Sequence, residues 1–174
     1  VEPVPGGATA REAQAGGECG DPLAGRGAAG HWLDVHLPAL LCAARAAVAD
    51  GDLDTLARRL MAALVRALAA HHGPEAAAAD LYDIHELFLD VAARQGLHRE
   101  EAAALLNLAD LDARTGRTRT ALARYRAALD AGRRAADPYA TGRAMESLGG
   151  AYHELGDWPR AADWFGRALA QRLA

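Results

Sequence analysis

The chain has 174 residues, a formal net charge of −4 and two cysteines. That length fits one domain or one segment of a repeat array. The mild, mixed charge offers no basic stripe for nucleic acid, and two isolated thiols without metal spacing exclude a disulfide framework and suit a reducing, cytoplasmic compartment. Alanine supplies 45 residues, isoleucine one and lysine none, so strong helix formers dominate and an all-helical chain is expected.

Residues 1–30 are rich in Gly, Pro and Ala. They bury too little apolar surface to offset the entropy of ordering, so a flexible lead-in is expected. Val1 to Gly7 lacks the apolar core of a secretory signal. Thr9-Ala10-Arg11-Glu12 has capping-box spacing and predicts a short helix. A first long helix runs from Leu33 to about Ala49 and stops at Asp50-Gly51. A second starts near Asp52 and carries Leu53, Leu56, Leu60, Leu64 and Leu68 at helical spacing. Gly73-Pro74 breaks it, with Pro in the first turn of a third helix. That helix presents Leu81, Ile84, Phe88 and Val91 and ends at Gly96. The fourth begins near His98, with Glu100 and Glu101 at the positive end of its dipole. The fifth follows Gly116 and ends at Gly132. Asp137-Pro138 caps and opens the sixth, and the seventh runs from Trp158 to Leu173. No apolar run approaches the ~20 residues that cross a bilayer, so no membrane contact is expected.

The chain also repeats itself. Met145, Leu148, Gly149, Tyr152, Gly156, Ala161, Phe165 and Ala168 set an order of large, small, aromatic and turn residues. Leu105, Leu108, Ala109, Gly116, Ala121, Tyr125 and Ala128 hold the matching places forty residues earlier. Asp112 departs from the pattern where Tyr152 stands. A weaker copy centres on Gly73 with Ala78 and Tyr82, although Arg66 falls where a small residue belongs. A half-copy, Gly30-His31-Trp32, resembles Gly156-Asp157-Trp158.

This grammar resembles the tetratricopeptide repeat (TPR). The resemblance implies an all-α, right-handed superhelical solenoid of antiparallel hairpins with about seven helices. It divides the chain into a lead-in at 1–30, a half repeat at 31–50, and repeats at about 52–95, 98–135 and 138–173. The turn glycines Gly30, Gly73, Gly116 and Gly156 lie 43, 43 and 40 residues apart. The usual period is about 34, so longer helices or longer loops are required. That long period, with Gly30-His31-Trp32 and Leu105-Leu106-Asn107-Leu108-Ala109, is similar to the TPR arrays of bacterial NB-ARC (STAND) type ATPases and transcriptional regulators.

No constellation for chemistry emerges. Gly25-x-Gly27-x-x-Gly30 matches a dinucleotide fingerprint as a string, but no strand precedes it. Asp80, Asp83, His85 and Glu86 read as a polar helix face, and His85-Glu86 lacks the second histidine of a helical zinc site. Ser147 has no evident His and Asp partners. Arg114, Arg117, Arg119, Arg124 and Arg126, interleaved with acids, read as a solvated face. No catalysis, cofactor or metal is expected.

The TPR resemblance places the first helix of each hairpin on a concave surface. It implies groove residues Leu106, Asn107, Asp110 and Arg114 in one repeat, and Arg143, Glu146, Gly150 and His153 in the next. An Asn107 amide both donates to and accepts from an extended peptide backbone. Arg114 and Arg143 suit an acidic side chain or terminal carboxylate. The two-lysine clamp of chaperone-binding TPRs has no counterpart in a chain without lysine. Trp164, Leu169 and Leu173 on the last helix predict self-association, because terminal repeats normally carry a polar outer face. The leading expectation is a non-catalytic protein- or peptide-binding segment of a cytoplasmic bacterial regulator. The alternatives are a self-associating scaffold and an accessory domain of an NB-ARC-type ATPase.

Overall fold

The computed structural model describes residues 26–73 and 75–173. Seven α-helices and no strand occupy them: α1 (Arg26–Asp50), α2 (Asp54–His71), α3 (Ala78–Gln95), α4 (His98–Arg114), α5 (Thr118–Arg134), α6 (Pro138–Glu154) and α7 (Trp158–Leu173). The helix expected at Thr9–Glu12 and the thiol of Cys19 lie outside the described residues. Cys42 is free and exposed.

The stops follow backbone chemistry. Gly96, Gly116 and Gly156 hold φ of 63°, 75° and 75°, the left-handed conformation that ends a helix without a Cβ clash. Asp137 caps α6 by accepting from the Tyr139 and Ala140 amides at 3.0 and 3.1 Å. Three expected boundaries are corrected. Gly30 lies inside α1, which begins at Arg26, so it is not a turn and residues 26–30 are helical. The third helix begins at Ala78 rather than at Pro74, which itself lies outside the described residues. Gly132 does not end α5. Its missing Cβ would sit 3.2 Å from the Thr141 amide nitrogen and 3.1 Å from Thr141 Cγ2. Glycine is there to let α6 approach, and the turn falls to Ala136 at φ 50°.

The forty-residue period comes from helix length. Each of α4, α5 and α6 has 17 residues, and three-residue connections join them, so the loops stay short. Within the last hairpin, Ala161 is buried. A Cβ on Gly149 would meet the Phe165 ring at 2.7 Å. These small residues set the close approach of α6 and α7.

Packing is nearest-neighbour. α4 touches α5 and α6, α5 touches α6, and α6 touches α7. One core, from Ala102 to Ala168, fills this half. A second, from Leu33 to Val91, fills α1 to α3. There α1 packs on both α2 and α3, and α2 does not reach α4. The α2–α3 pair is therefore not stacked on its successor as α4–α5 is on α6. Asp54, buried at the start of α2, accepts from Arg94 and Gln95 at 2.7 Å each, and Arg94 also donates to the Val48 carbonyl at 2.8 Å. One carboxylate thereby ties α2 to the far end of α3, and Arg94 extends the tie to α1.

The expectation about apolar runs is also corrected. Gly27–Asp50 is long and apolar enough, by length and composition alone, to cross a membrane. The reason is that α1 is apolar on two faces. Leu33, Leu37, Leu41, Ala44 and Val48 are buried against the core. Trp32, Val35, Ala39, Ala43 and Ala46 lie on the opposite face, exposed.

Candidate functional site

The predicted groove residues separate into three groups. Leu106 is only 2% exposed and belongs to the core, so it cannot contact a ligand. α4 has neighbours in α3, α5 and α6, which leaves it a narrower free strip than an edge helix has. Asn107, Asp110 and Arg114 occupy that strip at one-turn spacing, half-buried, half-buried and exposed in turn.

Asp110 and Arg143 are brought together as an ion pair between α4 and α6. Tyr125 on α5 donates to the second Asp110 oxygen at 2.8 Å. Burial first, then the hydrogen bond to Asp110 and its charge, push the Tyr125 phenol above its usual range, so it stays a donor at neutral pH. Arg143 is consequently engaged within the chain. Arg114 makes no ion pair among the described residues. It borders two adjoining hollows. One, of about 370 Å³, is lined by Asp110, Ala113, Arg114 and Tyr125. The other, of about 330 Å³, adds Glu75, Ala78, Leu111 and Thr115.

The α6 members divide again. Glu146 pairs with Arg172 of α7 at 2.6 Å. Together with Tyr139, Gly142, Arg143 and Gln171 they line a pocket of about 460 Å³. His153 stands apart from this set. Its ring meets Trp158 edge-on, with centroids 4.5 Å apart. Among the residues predicted to self-associate, Trp164 is half-buried against the core with Arg167 over its ring at 4.9 Å. Leu169 and Leu173 are exposed.

Three of the five clustered arginines, Arg117, Arg124 and Arg126, are corrected from a solvated face to structural ties. Asp112 is fully buried and accepts from Arg117 Nε at 2.7 Å and from Arg124. Arg124 also pairs with Glu86 at 3.2 Å, and both guanidinium groups lie over the Tyr82 ring at 4.9 and 5.4 Å. Burial draws the Arg124 pKa down, but the hydrogen bond to Tyr82 and the Asp112 charge more than offset it and leave the group above its ordinary value. Arg126 donates to the Tyr152 hydroxyl. Where the last repeat fills this place with Tyr152, the earlier one uses a short carboxylate, and α5 arginines occupy the space and reach α3. The signal was the departure at Asp112 itself, since a buried acid requires cations.

No group of metal-ligating side chains assembles among the described residues. The glycine string at 25–30 runs into α1, so from Arg26 onward it is helix rather than a phosphate-binding turn. A tetratricopeptide-repeat family model matches residues 100–174. These residues are similar to the tetratricopeptide repeat (TPR). They coincide with the α4–α7 core, and repeats of this family generally mediate protein–protein interaction. No curated protein and no solved structure matches the chain.

Proposed function

We propose that this chain is a non-catalytic, peptide-binding TPR segment of a cytoplasmic bacterial regulator, and that it holds an acidic group of its partner at Arg114. The observation that supports this reading most is charge bookkeeping along α4 and α6. Arg99 of α4 pairs with Asp137, and Arg143 of α6 pairs with Asp110. Arg114 has none among the described residues and faces two hollows. A guanidinium in that state binds a carboxylate by two parallel hydrogen bonds, while Asn107, about two turns away on the same strip, serves the peptide backbone. The regulator context rests on the long-period resemblance.

The test is fluorescence anisotropy with labelled glutamate-rich peptides. Arg114→Ala weakens binding about tenfold, the loss of one charge-assisted hydrogen-bond pair. Equal binding by the wild type and Arg114→Ala sinks the assignment. A second reading, self-association through α7, is favoured by the exposure of Leu169 and Leu173.

A further inference from the structure

The register between the last two repeats carries more than self-association in general. Positions forty residues apart behave alike on the inner side of the hairpin. Ala121 and Ala161 are both buried, and so are Ala128 and Ala168. The outer side differs. Tyr125 and Leu129 are 4% and 3% exposed, whereas their counterparts Phe165 and Leu169 are 44% and 59% exposed. What covers the first pair is α6, which touches both α4 and α5. Where α6 crosses Gly132, the nearest residues are the small Ala140 and Thr141. The α7 face therefore continues an interface already built once inside this chain. Among the described residues, no helix plays the part of α6 there.

The opposite end of the stack offers such a helix. The face of α1 left open among the described residues runs Trp32, Val35, Ala39, Ala43 and Ala46, small along most of its length and uncharged until Asp50 at its C-terminal end. The α7 face runs Trp158, Ala162, Phe165, Leu169 and Leu173, mostly large and likewise uncharged. Large side chains on one helix and small ones on the other allow close ridge-into-groove packing. Charges beside both faces are already paired within the chain: Arg45 with Asp83 and Asp34 with His72 near α1, Arg160 with Asp157 and Arg167 with Asp163 on α7. Docking along the stretch from Trp32 to Ala46 then strands none of these ions. Two copies of α7 would instead meet large against large and leave the alanine stripe of α1 open.

We infer that the occupant of the α7 face is α1 of a second copy, so that chains stack head to tail. This deepens the self-association reading and rests on it. The contact is heterologous and does not close by itself, so assembly proceeds past the dimer.

Sedimentation velocity of the full chain over a concentration series tests this, with Ala43→Arg blocking the α1 face and Leu169→Asp blocking the α7 face. The wild type gains mass beyond the dimer, and each variant alone stays monomeric. Their mixture gives a one-to-one heterodimer, because each supplies the face that the other has lost. Circular dichroism checks that both fold, and Ala46→Glu with Phe165→Asp forms a second independent pair. If Ala43→Arg associates as the wild type does, the head-to-tail inference falls while self-association through α7 stands. A wild type that is monomeric throughout overturns both. A monomer that instead sediments with phosphatidylcholine–phosphatidylglycerol vesicles, and loses this with Ala43→Arg, assigns the α1 face to lipid and overturns the inference as well.

Discussion

His85 makes the stability of this chain depend on mild acid. The side chain is buried on α3, with Phe88 beside it at 6.3 Å between ring centroids. Burial lowers its pKa from 6.5 to about 4. The unfolded chain, with an exposed imidazole, binds a proton first as the pH falls. Above pH 6.5 neither state is protonated, and His85 contributes no pH dependence. Between pH 6.5 and 4 the unfolded state gains the proton and the folded state does not, so stability is lost. Linkage gives about 2 kcal/mol between pH 7 and pH 5, and about 3 kcal/mol by pH 4. Urea unfolding followed by far-UV circular dichroism measures this at each pH. His85→Phe keeps an aromatic ring and removes the proton site, so its loss over pH 7 to 5 is smaller than that of the wild type by about 2 kcal/mol. Carboxylates such as Glu101 affect both proteins and cancel in the difference. Burial works against the Glu101 charge, but hydrogen bonds from His98 and Arg134 outweigh it and hold that group below its usual range. Identical pH slopes for wild type and variant would refute the assignment of a neutral, desolvated imidazole.

Four further outcomes follow from packing and backbone conformation. Asp112→Ala strands Arg117 and Arg124 beside a buried site and costs about 3–5 kcal/mol in urea titration. Gly132→Ala drives a methyl against the Thr141 backbone and costs about 1–3 kcal/mol. Gly150→Ala, with nothing within 4 Å of the new Cβ, stabilises α6 by about 0.5–1 kcal/mol. Ala136→Gly relieves a left-handed alanine and stabilises by about 1 kcal/mol, read as a raised thermal midpoint.

The helices were legible because their signals are local. Glycine at φ of about 75°, the Asp137 cap and leucine spacing each act within a turn or two, so α3 to α7 emerge near their observed limits. Gly30 and Gly132 misled for one reason: a glycine needed for close approach, or carried within a helix, has the same letter as a glycine that ends one. The site was less legible. Leu106 fell in the groove by family offset, but the number of neighbours around α4 decides its burial, and that number is a tertiary quantity. The distinction between Arg114 and Arg143 is likewise invisible in sequence, because it turns on Asp110 of α4 facing Arg143 of α6. Asp112 was the informative exception, a departure that marked a buried ion network.

The division of the apolar interior at α3 and α4 has a consequence for how the molecule comes apart. Among the described helices, backbone contact between the halves runs only through those two, reinforced by long arginine arms from the α5 side to Tyr82 and Glu86. In a linear array, each unit unfolds with a free energy set by its own fill and by its joint to the next. Salt weakens the charged parts of such a joint more than it weakens packing. Amide exchange should therefore show α1–α3 and α4–α7 opening as separate cooperative units, drifting further apart in protection as ionic strength rises.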